Sequence, residues 1–514
     1  MLFNSFEFLF VFLPVTLAGY QAAAMFGRRA VVMWLGLMSV VFYGVWRREF
    51  LWLLCVSIAF NFVCSRLIVR WRAWEQGASA AMWTGVCGNL LLLFFYKYLF
   101  PTLTGLGELL RLHHRFAGVL LPLGISFFTF TQIGYLIDLR QAAAEPQDLP
   151  EYLLFVTFFP HLIAGPILHH SEIMPQFREE RGYGLQAADV SVGLTWFIMG
   201  LFKKVMIADT MAPFVDATFA APHALGILPA WTGVLSYTMQ LYFDFSGYSD
   251  MAIGVARMMS IRFPMNFASP YKAASIIDFW SRWHITLTRY VTLYLYNPMS
   301  LWVNRRRIAK GRKVSRKGSA TVEGFTSMVA FPTMATMIII GIWHGAGTQF
   351  LLFGLFHGVY LTVNHAWRIL RKKPADAPTP GRWRGHVNHA AGLLLTLFCV
   401  ILGQVLFRAN STQDAFTLFA SMGGKGGLGV HALGSLHKAI LLLPPLFAAV
   451  WLLPNTQQIL SRFGSDVGTS SQPGLLGRSL LWRPGVAWAI SMAAAFIVCM
   501  AFMEDTSRFL YFQF

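Results

Sequence analysis

The stretch GIWHGAGTQFLLFGLFHG (341–358) decides the fold of this chain. It belongs to a longer segment, 324–367, that contains no Lys, Arg, Asp or Glu. A membrane-spanning helix needs about 20 apolar residues, so a charge-free segment of this length predicts two passes through a membrane. Gly345 and Gly347 favour a turn near its centre, and His344 lies directly beside that turn.

His344 is the first candidate functional residue. An imidazole placed where two membrane helices meet is costly to keep unless it has a partner or a task. The plainer alternative is a ring that is hydrogen-bonded within the turn. We favour a task, that of a general base, because imidazole titrates close to neutral pH.

The composition excludes a soluble globular protein. Of 514 residues, 56% are hydrophobic and only 12% are charged, whereas soluble domains carry about 25% charged residues. The net charge is +18, and the basic residues cluster between apolar segments. Membrane topology explains this pattern more simply than nucleic-acid binding does, and we expect no nucleic-acid partner.

Apolar segments that approach the membrane-spanning length recur along the whole chain, and they predict an all-α membrane protein with about 11–12 transmembrane helices. They are 6–25, 30–46, 50–69, 80–100, 119–139, 187–207, 231–256, 328–344, 349–367, 390–407, 439–454 and 485–503. Two further apolar segments, 150–168 and 276–300, are interrupted by Pro, Gly or charged residues. We interpret them as re-entrant or surface-lying helices, and irregular backbone at membrane depth predicts an internal cavity.

Two basic loops set the expected orientation. Segment 305–317 carries eight basic residues and no acid, and segment 368–384 is also strongly basic. Both flank the two-pass segment, so they belong on one side of the membrane, and the positive-inside rule places that side in the cytoplasm.

The second candidate histidine is His284, in IIDFWSRWHITLTRY (276–290). Helical periodicity would place it on one face with Trp280 and would place Arg282 on another, paired with Asp278 four residues before it. One interpretation is an amphipathic helix at the membrane interface. The alternative is a re-entrant helix that delivers His284 to the cavity.

Asp244 and Asp250 are the only charged residues between 231 and 256. Carboxylates inside a membrane are functional or tightly paired, and an ion pair between Asp250 and Arg257 or Arg282 is the plainer expectation. Six residues apart, the two carboxylates do not share a helix face, so a paired acid–base site is not expected.

The remaining histidines and the cysteines favour structural interpretations. We expect satisfied hydrogen bonds for the former and buried packing thiols for the latter, with no metal site, disulfide or zinc motif. These residues are His161, His169, His170, His357, His365, Cys55, Cys64, Cys87, Cys399 and Cys499. The chain also lacks the GxSxG, Walker and HExxH motifs, which argues against serine-hydrolase and nucleotide-hydrolysing mechanisms.

Taken together, FWSRWH (279–284) and GIWHGAG (341–347) resemble the membrane-bound O-acyltransferase (MBOAT) family, and within it the membrane components of bacterial alginate O-acetylation. The resemblance covers essentially the whole chain. Further segments that fit it are MLFNSFEFLFVFLP (1–14), LYFDFSGYSDMAIG (241–254), VLFRANSTQDAF (405–416) and FLYFQF (509–514).

The resemblance implies one membrane domain over 1–514, in which helices form a ring around a funnel or tunnel. N-terminal helices would occupy 1–140, a core with both histidines 150–367, and C-terminal helices 390–514. His344 would be the catalytic base and His284 the second family histidine. Supporting or substrate-binding roles would fall to Trp280, Arg282, Trp283, Trp343, Asp244 and Asp250.

The activity implied is transfer of an acetyl group from acetyl-CoA or another acyl thioester, with no bound cofactor. The basic loop 305–317 could receive an anionic donor or anionic lipid. In a bacterial inner membrane, periplasmic acetyltransferase partners would place the group on an exopolysaccharide such as alginate. D-alanyl, peptidoglycan or cellulose acylation is the alternative within the fold, and a non-enzymatic transporter of donor or polymer is the alternative outside it.

Overall fold

A computed structural model gives the architecture of the protein. It describes residues 2–46, 48–99, 121–122, 124–178, 183–315, 317–371, 382–429, 433–463, 479–503 and 510. Within these ranges the secondary structure is helical and contains no β-strand, which confirms the predicted all-α class.

The α-helices are numbered in chain order. They are α1 Leu13–Ala24, α2 Arg28–Trp46, α3 Leu51–Arg70, α4 Glu75–Phe94, α5 Ile125–Arg140, α6 Leu149–Thr157, α7 Phe159–Leu162, α8 His170–Arg178, α9 Ala187–Phe202, α10 Thr210–Ala220, α11 Ile227–Met258, α12 Ile276–Trp280, α13 Ile285–Val291, α14 Asn297–Ala309, α15 Val322–Phe325, α16 Phe331–His344, α17 Thr348–Leu370, α18 Arg382–Arg408, α19 Thr412–Met422, α20 Leu433–Leu452, α21 Thr456–Ile459 and α22 Val486–Phe502. Several are extended by π-helical turns, at Phe8–Phe12, Phe95–Leu99, Lys203–Asp209, Thr292–Tyr296 and Thr326–Ala330.

Each of the predicted apolar segments coincides with a helix in its described part. Among the described residues, six helical stretches are long and apolar enough to cross a membrane. They are Arg28–Trp46, Arg48–Arg70, Glu75–Leu99, Ala187–Ala220, Val322–His344 and Trp383–Arg408. Shorter apolar helices lie at Phe8–Ala24, Leu436–Leu452 and Val486–Phe502. The chain is a multi-pass membrane protein, and the count of 11–12 crossings stays a prediction.

The long helix α11 forms the centre of the core, with nearly all of its side chains buried. It packs against α9 at very short range, because two glycines meet there. A Cβ on Gly200 would lie 2.6 Å from the carbonyl oxygen of Gly247. Such small residues let membrane helices approach closely and gain packing contacts that larger side chains would prevent.

The charge-free segment forms the predicted helical hairpin. Helix α16 ends at His344, the chain turns through 345–347, and α17 runs back beside α16. The hairpin therefore places His344 at the tip of the first helix, inside the protein.

Both interrupted segments bend where the sequence indicates. Segment 150–168 forms the short helices α6 and α7, and its end borders a pocket at Ile167 and Leu168. Segment 276–300 forms α12, a turn and α13, and it borders a second cavity. The expected internal cavity is therefore present.

Two expectations from the sequence, one about His284 and one about the cysteines, were wrong. His284 does not share a helix face with Trp280, because it lies between α12 and α13 with a left-handed φ of 44°. The cysteines are not all buried: Cys64 and Cys499 are, whereas Cys55 and Cys87 are exposed. An apolar side chain of a membrane protein can face lipid as well as the core, so hydrophobic context does not imply burial.

Candidate active site

Three histidines meet around one cavity between α11, α12, α13, α16, α17 and α18. His284, His344 and His357 all line it. Its volume is about 50 Å³, room for roughly three to five water molecules at about 10–15 Å³ each. Most of the lining surface is apolar, contributed by aromatic and aliphatic side chains.

Aromatic rings hold His344 in place. The ring centroids of Trp343, Phe407 and Phe353 lie 4.6, 4.8 and 5.8 Å from that of His344, the two phenylalanines edge-on. Within the part of the chain that the structure describes, no group hydrogen-bonds to the imidazole. Among the described residues the ring is thus held by packing rather than by a hydrogen bond.

A hydrogen-bond network fixes the orientation of His284. Its Nδ1 lies 3.0 Å from Oδ1 of Asn266. That oxygen also accepts from the hydroxyl of Thr286 at 2.9 Å and from its backbone N–H at 3.3 Å. A carbonyl oxygen only accepts, so Nδ1 carries the proton, and the lone pair of the neutral ring lies on Nε2.

The backbone at His284 is unusual. A left-handed φ at a non-glycine residue is sparsely populated and persists only where the surroundings impose it. Here the backbone N–H of Ile285 donates to the backbone oxygen of Asn266 at 2.9 Å, beside the side-chain contact. The loop before α12 therefore sets both the backbone and the tautomer of His284.

His357 joins the site although the sequence predicted only a satisfied polar contact. The indole Nε1 of Trp280 donates to its Nδ1 at 3.2 Å, so in the neutral ring Nε2 carries the proton. Helix α18 passes very close, because a Cβ on Gly403 would lie 2.4 Å from Nε2. The signal was available, since His357 lies in the same charge-free segment as His344.

Gln404 is another lining residue that the sequence did not indicate. Its Oε1 accepts from the hydroxyl of Thr238 at 2.8 Å, and its Nε2 donates to the hydroxyl of Tyr271 at 2.9 Å. An amide in an apolar helix carries no strong sequence signal, and only the packing of α18 against α11 brings it to the cavity.

The two aspartates of α11 form ion pairs with lysines. Asp250 lies 2.6 Å from Nζ of Lys203, and Asp244 lies 2.7 Å from Nζ of Lys204. The backbone N–H of Leu510 also donates to Asp244 at 3.1 Å. Only Asp244 lines the cavity, in keeping with the expectation that the carboxylates do not form one site.

The predicted arginine partners of Asp250 were wrong. Arg257 pairs with Asp189 at 2.8 Å, and Arg282 pairs with Asp278 at 2.8 Å, as its spacing predicted. Lys203 lies in the π-helical turn that follows α9, and the tight packing of α9 on α11 brings it to Asp250. That contact is tertiary and has no local sequence signal.

The structure therefore gathers some of the predicted site residues and separates others. Those that line the cavity are His344, His284, Trp280, Trp283 and Asp244. Those outside its lining are Arg282, Trp343 and Asp250. Trp343 packs directly against His344, so it can hold that ring in place without lining the cavity itself.

A buried lysine stands behind Trp343. Lys97 is 8% exposed and lies in the π-helical turn after α4, with its ammonium 5.2 Å from the centre of the Trp343 ring. In the described ranges no carboxylate pairs with it. A cation–π contact offsets part of the cost of burying a charged amine, and Lys97 is thereby held against Trp343, the ring that packs on His344.

No metal site is found where the structure describes the chain: no three His, Cys, Asp or Glu side chains are placed there so that they could hold one metal ion. The cavity is a mostly apolar chamber lined by three imidazoles. Such an arrangement suits removal of a proton from a hydroxyl nucleophile.

Comparison with known proteins identifies relatives. A profile of the MBOAT, membrane-bound O-acyltransferase, family matches residues 91–313. The peptidoglycan O-acetyltransferase of Helicobacter pylori is 36% identical over 459 residues, covering 83% of this chain and 81% of that protein. The probable alginate O-acetylase AlgI of Pseudomonas aeruginosa is 35% identical, with 86% and 78% covered. The teichoic acid D-alanyltransferase of Streptococcus thermophilus is 26% identical, with 62% and 73% covered.

Proposed function

The chain belongs to the membrane-bound O-acyltransferase family, and on this premise we propose that it takes an acetyl group from a cytoplasmic thioester such as acetyl-CoA and passes it across the membrane. That the protein is a membrane O-acyltransferase follows from the family and its O-acetylating relatives. The donor, the route and the roles of the histidines are the proposal.

His344 is the proposed general base. An oxygen of the acceptor hydroxyl attacks the thioester carbonyl while an imidazole nitrogen of His344 takes the hydroxyl proton. The carbon–sulfur bond then breaks, and the leaving thiolate takes the proton from the imidazolium. The observation that carries this assignment is a packed ring with no hydrogen bond to a described residue, at the wall of a mostly apolar cavity. Such catalysis is worth about 10²–10⁴-fold.

His284 is the proposed positioning histidine. Because Asn266 holds the proton on Nδ1, the neutral ring presents a lone pair on Nε2. It can accept a hydrogen bond from a donor amide, an acceptor hydroxyl or His344, but it cannot donate to an oxyanion from that atom. The tautomer therefore favours orientation over oxyanion stabilisation.

The proposed acceptor pathway is O-acetylation of an exopolysaccharide such as alginate, with periplasmic acetyltransferase partners at a bacterial inner membrane. The similarity to proteins named alginate O-acetylase over most of the chain supports it. Peptidoglycan is the second candidate acceptor, since the relative named for that activity is just as similar. D-alanyl transfer has less support, because those relatives are 26% identical over a smaller share of the chain.

The test is acetyl transfer from radiolabelled acetyl-CoA by the full-length protein in vesicles. Alginate oligomers, peptidoglycan fragments and candidate periplasmic partners are supplied in separate reactions, and the label is traced. We expect thioester cleavage by the wild type and label on alginate or its partner. Label on peptidoglycan alone would select the second acceptor. Uptake of intact acetyl-CoA without cleavage would overturn the enzyme assignment in favour of a transporter.

A further inference from the structure

Part of the basic segment 305–317 lines a pocket. Helix α14 continues to Ala309, so the first basic residues of the segment lie on its last turn. Four basic side chains, Arg306, Arg307, Lys310 and Arg312, surround a pocket of about 290 Å³ that also contains Glu323. We name it the α14 pocket.

Charge in the α14 pocket is far from balanced. Glu323 contacts the guanidinium groups of both Arg307, at 3.3 Å, and Arg312. In the described chain, Arg306 and Lys310 have no carboxylate partner. They stand four residues apart, Arg306 in the last turn of α14 and Lys310 directly after its end, a spacing at which like charges are destabilising on a helix. Among the described residues one acid thus faces four cations, and the pocket keeps a positive charge that an anionic ligand would neutralise.

A buried donor in the pocket also has no acceptor. Arg307 is 8% exposed, and its Nη1 donates to the hydroxyl of Ser327 at 2.8 Å. Its Nε, which is fully buried, has no hydrogen-bond partner among the described residues. A buried guanidinium N–H left without an acceptor is costly, so this atom favours an acceptor beyond the described residues, such as a bound ligand.

One wall of the pocket is aromatic and faces outward. Trp302 and Phe331 are about half exposed, and the guanidinium of Arg306 stacks on Trp302 with its carbon 4.1 Å from the ring centre. Stacking fixes the plane of the guanidinium and leaves the N–H groups at its edge able to donate to an anion. Aromatic and basic residues together are typical of the lipid headgroup region.

We propose that the α14 pocket binds a phosphate ester. A phosphate offers several acceptor oxygens in one compact anion, which suits the forked donors of Arg306 and Arg307 and the point charge of Lys310. The aromatic wall would contact the apolar part of the same ligand. Two sources share this chemistry: an anionic phospholipid, and the phosphate groups of the thioester donor. The lipid source stands without the proposed function, whereas the donor source rests on it.

The test uses the full-length protein with Arg306→Gln and Lys310→Gln together, which leaves the Glu323 contacts of Arg307 and Arg312 intact. The matched control is Arg70→Gln with Lys425→Gln, two exposed basic residues on other elements. Each protein is placed in nanodiscs of phosphatidylcholine with or without phosphatidylglycerol. Phosphatidylglycerol retained after transfer to detergent is measured by mass spectrometry, and the KM for acetyl-CoA is measured in phosphatidylcholine alone.

We expect the α14 variant to lose at least about fivefold in one of these measurements, while the control loses in neither. Reduced phosphatidylglycerol retention would identify the lipid source. A raised KM with unchanged kcat would identify the donor phosphate. If the variant matches the control in both, the proposal is overturned. A wild type that retains phosphatidylglycerol but cleaves no thioester would overturn the proposed function alone.

Discussion

The histidine cavity and the ion-paired core of α11 both bury polar side chains, but they differ in what contacts those side chains. In the core, Asp250 and Asp244 each hold a lysine within 2.7 Å. At the cavity, His344 is packed by aromatic rings, and within the described part of the chain the partner of Lys97 is an aromatic ring and not a carboxylate. Paired charges stabilise a helix interface, whereas a polar group kept without a charged partner indicates chemistry.

The largest expected effect on stability comes from breaking a pair in the core. Lys204→Met would leave Asp244 buried without its cation, and we expect a loss of about 3–5 kcal/mol in the free energy of unfolding. Denaturant unfolding in detergent micelles measures it. Lys97→Met is the matched control, since it removes a buried lysine without stranding a carboxylate, and it should leave stability unchanged or higher.

An equal loss of stability in both lysine variants would show that Lys97 is also a structural residue. If Lys97→Met instead lowers turnover while the protein stays stable, its charge contributes to the reaction at His344.

The next largest effect is expected at the residue that orients His284. Asn266→Ala removes the acceptor for Nδ1 of His284 and for the hydroxyl of Thr286, so the ring can adopt the wrong tautomer. We expect kcat to fall by roughly tenfold, in line with the about 1–3 kcal/mol for an unmade buried hydrogen bond. Asn266→Asp keeps an acceptor oxygen and should recover most of the activity. Equal activity of all three proteins would contradict the orienting role.

A smaller effect is expected at the indole that contacts His357. Trp280→Phe keeps an aromatic ring but removes the N–H donated to Nδ1, a contact worth about 1 kcal/mol. Turnover should fall a few-fold, as steady-state kinetics can measure. Trp367→Phe, exposed on the same helix as His357, should behave as the wild type. A Trp280→Phe protein with full activity would show that the hydrogen bond between Trp280 and His357 plays no part in turnover.

The smallest effect is expected at the ion pair outside the cavity. Arg282 and Asp278 are each about one-third exposed, and such pairs contribute at most about 1 kcal/mol. Arg282→Gln should change both the free energy of unfolding and kcat only slightly. A large loss of turnover would show that Arg282 contacts a substrate although it lies outside the cavity lining.

Much of this architecture follows from the sequence because membrane length and hydrophobicity act locally. The sequence predicted the helices, the hairpin at 341–358 and the two interrupted segments. It also predicted the pairing of Arg282 with Asp278. His284 was predicted on a helix because periodicity assumes a regular backbone, whereas a loop distant in sequence imposes its left-handed φ.

Three findings could not be predicted for a related reason. They are the lysine partners of Asp244 and Asp250, the place of Gln404 at the cavity, and the burial of Lys97. Each depends on which helices pack together, and no local pattern encodes that. A lysine at the end of an apolar segment usually marks the membrane interface, so Lys97 carried no signal of burial.

The central claim is that His344 removes the proton of the acceptor hydroxyl. Single-turnover kinetics with radiolabelled acetyl-CoA test it most directly, comparing wild type, His344→Ala and His365→Ala, whose half-buried ring lies outside the cavity on α17. We predict that His344→Ala slows acetyl transfer by about 10²–10⁴-fold, with unchanged donor binding, and that His365→Ala transfers normally. Transfer by His344→Ala at the wild-type rate would contradict the account.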